Sequence, residues 1–207
     1  MKDLIKLNEE GWYWPIADER SWTLQKNQGN LFEIIKPHLK QNQTMVQAGG
    51  NCGLILSQFV DYFTQIYTFE PDPVNFYCLN LNILSPKVIK LQACLGNKRE
   101  TVGIYNYLPD IGGVHVKGEG CVPTIKIDDL NLPQCDLIQL DVEGYEYNAL
   151  LGAKETILKY NPVLCVEWCE KWLLRYGVGF DVMDKFFKEI GYTQVDSNAV
   201  DRIYVKL

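Results

Sequence analysis

From residue 45 onward, short apolar runs alternate with longer stretches of helical period, and few folds accommodate that alternation. TMVQAG (44–49), QIYTFE (65–70), VIKLQACL (88–95), CDLIQLDV (135–142) and PVLCVEW (162–168) read as buried strands. Between them, LILSQFVDYF (54–63), PDPVNFYCLNLNIL (71–84) and YEYNALLGAKETILKY (145–160) repeat apolar residues at helical spacing. Strands joined by helices pair in parallel and need both faces covered, so the chain is expected to be an α/β protein. Asp72 followed by Pro73 opens the helix over 71–84, since proline at the first helical position gives up an N–H that has no partner there. TVGIYNY is placed beside the third strand as an accessory, and NYLPDIGGVHVKGEGC (106–121), glycine-rich and without a period, reads as a loop. FDVMDKFFKEIGY is a helix stopped at Gly191, and YTQVDSNAVDRIYVKL closes the chain as strand, turn and strand.

The chain has 207 residues, enough for one domain with a sizeable core. No apolar run reaches the roughly 18 residues of a membrane span, and the N-terminus MKDLIKLNEEGWYWP has no signal-peptide pattern. Seven cysteines, mostly in strand-like runs and with no C-x-x-C pair, read as reduced thiols of a cytoplasmic protein. With only His38 and His115 beside them, no zinc set is expected. A net charge of −6 argues against nucleic acid as a partner. Residues 1–44 are expected to be an aromatic and helical extension packed on a core of residues 45–207. Within the extension, GWYWPIADERSW either lays its rings over the sheet edge or serves as an aromatic lid, and LFEIIKPHLK is a helix.

The chemistry gathers at strand ends. In MVQAGGNCG (45–53) the glycines miss the G-x-G-x-x-G dinucleotide spacing, and Gly53 is followed by Leu54 rather than the G-K-[ST] of a phosphate loop. What remains is Gly49, Gly50, Asn51 and Gly53, small residues that let a ligand approach the backbone or simply form a tight turn. Glu70 ends the second strand in TFEPDP, where a carboxylate can accept both hydroxyls of a ribose. Asp141 and Glu143 follow the fourth strand in LIQLDVEGYE, with Gly144 turning the backbone. Ligands of open α/β sheets bind at these carboxyl ends.

VQAGGNCG, FEPDPVNF, ACLG, VPTIKIDDL, LIQLDVEGYEYNALLGA and PVLCVEW together resemble the FkbM-type methyltransferases, in the same order and spacing, over about residues 45–170. The resemblance implies a Rossmann-like seven-stranded methyltransferase sheet of order 3-2-1-4-5-7-6, strand seven antiparallel, with helices on both faces. It implies S-adenosyl-L-methionine as cofactor and S-adenosyl-L-homocysteine as product. By position, Gly49, Asn51 and Gly53 pass under the methionine and ribose, and Glu70 binds the ribose hydroxyls. Pro71 and Asp72 lie beside the adenine, and Ala93 and Cys94 border its edge. Asp141 lies near the methionine amine and the methyl group, and Glu143 on the acceptor side. Gln47 stands where the family commonly has aspartate, so it offers the ammonium a neutral bond in place of a charged one. The expected reaction is O-methylation of a hydroxyl on a glycan or small molecule. A non-catalytic cofactor-binding scaffold is the alternative. The base is His115, or Asp141 or Glu143; a third arrangement, Asp141 with Glu167 holding Mg²⁺, is not favoured, and no metal ligand is assigned.

Overall fold

A computed structural model describes residues 1–18, 20–27, 29–107 and 110–207. Its centre is a seven-stranded sheet of β1 (Thr44–Ala48), β2 (Gln65–Phe69), β3 (Val88–Leu91), β4 (Leu137–Leu140), β5 (Val163–Glu167), β6 (Tyr192–Ser197) and β7 (Asp201–Lys206). The spatial order is β3-β2-β1-β4-β5-β7-β6. Strands β1 to β5 pair in parallel, and β7 runs antiparallel to both β5 and β6.

Every residue of β1 and of β4 is buried, which is why both read as nearly continuous apolar runs rather than as alternations. Alternate residues feed separate cores. Val46, Ala48, Ile138, Leu140, Leu164 and Val166 face Ala149, Leu150, Ile157, Met183, Phe186 and Phe187. These belong to, or adjoin, the helices α5 (Glu146–Leu151), α6 (Lys154–Tyr160) and α7 (Phe180–Glu189). Met45, Leu137, Val163, Cys165 and Ile203 face the other way, onto Leu31, Ile35, Leu56, Phe59, Phe63 and Leu79. This second layer is built on α2 (Leu31–Ile35), α3 (Leu54–Ser57) and α4 (Pro73–Asn82). No helix among the described residues is long and apolar enough to cross a membrane.

Asp72 caps α4 as its sequence requires: Oδ1 accepts from the backbone N–H groups of Val74 and Asn75 at 2.8 and 3.0 Å, with Pro73 at the first position. Other elements depart from expectation. The helical period over 54–63 yields only the four residues of α3 followed by turns, because Phe59 and Phe63 serve the core from a turn as well as from a helix. The helix over 145–160 is two helices. Between them, a Cβ on Gly152 would run into the backbone carbonyl of Gly96, so the chain must step aside there. A side chain remote in sequence then starts α6: Asp128 accepts from the N–H groups of Glu155 and Thr156 at 3.2 and 2.8 Å.

The glycine-rich 106–121 segment is not a featureless loop. Ile104–Tyr107 and Asp110–Val116 form an antiparallel hairpin, and Leu108 and Pro109 of that segment lie outside the described residues. The third apolar run also divides. Val88–Leu91 joins the main sheet, whereas Cys94–Leu95 pairs with Val122–Ile125, which in turn receives Thr101–Val102.

The first residues form a hairpin of Ile5–Leu7 with Tyr13–Pro15, followed by α1 (Ser21–Asn27). Asn82 at the end of α4 fastens this hairpin. It accepts from Tyr13 N at 2.8 Å and donates to the carbonyls of Tyr13 and Cys52 at 2.9 and 2.8 Å. Trp14 is buried against Cys52, Cys78 and Ile111, and Trp22 packs on it edge to face at 5.0 Å between ring centroids.

Candidate active site

The carboxyl ends of β1, β2, β4 and β5 open into one cavity. Gly49, Gly50, Asn51, Glu70, Pro71, Ala93, Cys94, Asp141, Glu143, Glu167 and His115 all line it. Of the expected cofactor residues, Gln47, Gly53 and Asp72 are not among the lining residues. Asp72 is the α4 cap, and Gly53 begins α3 at φ +94° with Ile83 and Leu79 against it.

Gln47 is 1% exposed and lies beneath the turn. Its Nε2 donates to the Gly49 carbonyl at 3.1 Å, and its Oε1 accepts from the Thr68 hydroxyl on the neighbouring strand. One partner needs a donor and the other an acceptor, so an amide satisfies both and a carboxylate would not. In this conformation Gln47 braces the glycine turn.

The turn itself is tightly determined. Gly49 has φ +84°, and a Cβ there would collide with the Asp141 carbonyl on β4. A Cβ on Gly50 would stand 2.8 Å from Thr68 Oγ1. These glycines are required by the approach of the protein's own strands. Asn51, at φ 44°, donates its backbone N–H to Glu70 Oε2 at 2.7 Å. Glu70 Oε1 accepts from Asp72 N at 2.8 Å. Burial pushes the Glu70 carboxyl up to about 8, against the pull of these two N–H bonds. In this pocket the acid is therefore largely protonated at neutral pH, and hydrogen-bond donors presented to it would drive it to ionise.

At the other end, carboxylate oxygens of Asp141, Glu143 and Glu167 lie within 4.8 Å of one another. The register sets this up: Gln139 faces Cys165 across β4 and β5, so Asp141 and Glu167 follow on the same face two residues on, and Glu167 faces Asp201 on β7. Burial, reinforced by repulsion among these acids and Glu146, raises both Asp141 and Glu167 well above the usual carboxylate range. Three hard oxygen donors at this spacing suit Mg²⁺ chemically.

Two residues that strand-end reasoning passes over shape this end. Glu146, buried at the start of α5, accepts from Val142 N and Gly144 N at 2.9 and 3.1 Å and so folds the Glu143–Gly144 turn back on itself. Arg175 Nη1 donates to the Glu143 carbonyl at 2.9 Å. The turn needs this support, because Glu143 is held at φ 56° without being glycine. The E-G-Y-E spacing is its only signal in the sequence, and it reads equally as a row of helix-entry acids.

His115 enters from the hairpin above. Its Nδ1 lies 3.0 Å from the Gly113 carbonyl, which can only accept, so Nδ1 carries the proton and Nε2 is the basic nitrogen. Burial lowers its pKa, the Gly113 bond opposes that, and the nearby charges of Arg175 and Lys117 lower it further. The balance favours the neutral ring.

The hairpin and the N-terminal extension form one roof, organised by Asp18. Its carboxylate accepts from Trp14 Nε1 at 2.7 Å, Ser21 Oγ at 2.7 Å, Ser21 N at 3.0 Å and Trp22 N at 3.1 Å. Burial alone would raise its pKa, but these bonds hold it below the usual carboxylate value. Ser21 Oγ accepts from Gly112 N at 2.9 Å, joining the extension to the hairpin. The Ile111 carbonyl, in turn, accepts from Asn51 Nδ2 at 3.3 Å and Asn75 Nδ2 at 3.2 Å, which seats the roof on the glycine turn. On the far side the Tyr176 hydroxyl donates to the Val116 carbonyl at 2.7 Å. Ser21, Leu24 and Gln25 line the cavity from above, so Trp14 and Trp22 are packing residues of a roof whose inner wall is α1.

No curated protein matches the chain in sequence. A solved methyltransferase FkbM from Methylobacillus flagellatus KT superposes with a TM-score of 0.54 at 19% identity; the match covers 79% of this chain and 43% of that one. The chain thus spans less than half the length of that relative. Precorrin-6y C5,15-methyltransferase from Geobacter metallireducens GS-15 matches with a TM-score of 0.54 at 10% identity over 99% of each chain. Magnesium protoporphyrin IX methyltransferase from Synechocystis PCC 6803, solved with bound SAM, gives 0.51 at 12% identity, over 89% of this chain and 80% of that one. At such identities the likeness is one of fold. The family model described as the methyltransferase FkbM domain matches residues 47–193, most of the chain, from the last two residues of β1 through β5. The chain belongs to the FkbM methyltransferase family.

Proposed function

We propose that the chain is an S-adenosylmethionine-dependent O-methyltransferase acting on a hydroxyl of a small molecule or glycan, with residues 1–44 roofing a methyltransferase domain of residues 45–207. The observation that carries this reading is that Glu70, the Gly49–Asn51 turn, the Asp141–Glu167 acids and His115 line a single cavity. A buried carboxyl beside a close-packed backbone turn suits an adenosyl ribose, whose two hydroxyls are donors. When bound, the cofactor supplies an electrophilic methyl group. The protein contributes alignment, exclusion of water and removal of a proton.

In this reading Glu70 ionises as it accepts the ribose hydroxyls, Asp141 faces the methionine ammonium, and the roof closes over both. The acceptor hydroxyl lies between the acids and His115. His115 Nε2, neutral and basic, takes its proton. Asp141 or Glu143 can do the same.

Calorimetry with S-adenosylmethionine and S-adenosylhomocysteine tests the assignment. Binding is expected, with proton release below about pH 8 as the raised Glu70 gives up its proton. The sign follows from the shift: the free site holds a proton that the bound site does not, so affinity rises with pH until Glu70 is ionised in both states. Heats measured in buffers of different ionisation enthalpy count that proton. Absence of binding by either compound sinks the proposal. Binding without turnover over a panel of hydroxyl acceptors favours the scaffold reading.

A further inference from the structure

We propose a second binding site, for the phosphate group of a soluble phosphate ester, at the opposite edge of the sheet from the candidate active site. It does not depend on the cofactor reading above. A cavity of about 290 Å³ opens at the amino ends of β1, β4 and β5, the three central strands. Three lysines line it from separate elements: Lys40 ahead of β1, Lys159 in the last turn of α6 and Lys206 at the end of β7. None of the three pairs with a carboxylate among the described residues. Such a concentration of positive charge stands out in a chain of net charge −6. Helix position explains Lys159, since a cation in the last turn complements the helix dipole. Lys40 and Lys206 answer no such demand.

The acid in the cavity wall is already committed. Asp136 Oδ2 accepts from Gln43 N and Thr44 N, both at 2.8 Å, and Oδ1 accepts from Gln134 Nε2 at 2.7 Å. Its charge is spread over three donors that tie the approach to β1 onto β4. His38 also lines the wall, but its Nε2 lies 3.3 Å from Asp196 Oδ2, so it is not counted with the free cations. Gln41 adds neutral donors. Its Oε1 accepts from Gln134 Nε2 at 2.5 Å, which leaves its own amide hydrogens for a ligand. Buried Cys135 and Val163 line the cavity as well, and an apolar wall behind like charges concentrates their field.

Several ammonium groups with amide donors suit an anion of more than one charge and several acceptor oxygens. A phosphate monoester offers three such oxygens, and lysine meets it as a point charge on a flexible stem. A carboxylate, with one charge, would leave two of the lysines uncompensated. Because the charges line a recess rather than a flat face, the fit is to a soluble ester and not to a bilayer.

The test is an NMR titration of backbone amide shifts with phenyl phosphate at fixed ionic strength, beside inorganic phosphate and benzoate. Both phosphates should shift amides near Lys40, Gln134–Asp136 and Lys159–Asn161, and benzoate should bind at least about tenfold more weakly. The double variant Lys159→Gln/Lys206→Gln should weaken phenyl phosphate by about tenfold, the scale of two exposed charge contacts. Lys98→Gln, an exposed lysine outside the cavity, should leave it unchanged. If the double variant does not fold, Lys40→Gln is read in its place, with a loss of about threefold expected. The proposal is overturned by absence of binding, by shifts that map elsewhere, by benzoate binding as well as phenyl phosphate, or by variants that keep wild-type affinity. Binding only to phosphatidylcholine vesicles containing phosphatidic acid would assign the face to a membrane and overturn it too. Failure of the cofactor to bind would leave this result untouched.

Discussion

Replacing Glu70 with alanine is expected to weaken binding of S-adenosylhomocysteine by about 2–4 kcal/mol, roughly thirtyfold to several hundredfold, for two lost bonds to an ionised acceptor. The reasoning separates binding from folding. In the free protein the carboxyl receives Asn51 N and Asp72 N, and burial holds it largely protonated. Removing it leaves two backbone donors short of a partner but also relieves the burial of an acid, so the net change in stability is expected to be small, within about 1 kcal/mol. The loss therefore falls on the ligand. Glu70→Gln is the informative companion. It keeps shape and one acceptor oxygen, should recover part of the affinity, and should abolish the proton released on binding. Calorimetry on the three proteins, with thermal melts beside it, checks both statements. An alanine variant that binds as wild type does would remove Glu70 from the site.

The strand ends were legible in the sequence because they follow from position alone. A strand buried on both faces reads as an apolar run, and its last polar residue is delivered to the sheet edge; Glu70 and Asp141 reach the cavity in that way. Asn75 and Asp18 were not legible, because a polar residue at the start of a helix has the same appearance whether it caps the helix, faces solvent or turns into a cavity. Only the third dimension shows that Asp18 gathers Trp14, Ser21 and Trp22. The hairpin of Ile104–Tyr107 with Asp110–Val116 was hidden for a different reason. Gly112 and Gly113 depress strand propensity, yet Gly112 N bonds Ser21 Oγ and the Gly113 carbonyl meets the His115 ring within the strand. Gln47 is the instructive case. By resemblance it stands where a charge is expected. In the structure the amide answers two partners at once, a hydroxyl that gives and a carbonyl that takes, which an aspartate could not do.

That brace on the turn leads to the second large effect, expected for Gly49→Ala. At φ +84° a non-glycine residue costs about 1–3 kcal/mol of backbone strain. The added methyl would also meet the Asp141 carbonyl, which is backbone and accepts the β1 geometry through Asp141 N bonding Ala48 O at 3.1 Å. Neither strand can yield without loosening the β1–β4 pairing, so overpacking adds a further ~1–3 kcal/mol. A total of about 2–6 kcal/mol corresponds to a fall in melting temperature of roughly 5–20 °C for a chain of this size. Gly118→Ala is the matched control. It has φ +70° but nothing within 4 Å of the added methyl, so it should show the strain alone, about 1–2 kcal/mol. The difference between the two variants measures how closely the glycine turn is pressed against β4. Because that contact also places Asp141 beside the turn, Gly49→Ala should lose cofactor affinity along with stability, whereas Gly118→Ala should keep it. Equal melting temperatures for the two variants would show that the turn has room to spare, and the placement of Asp141 against Gly49 would have to be abandoned.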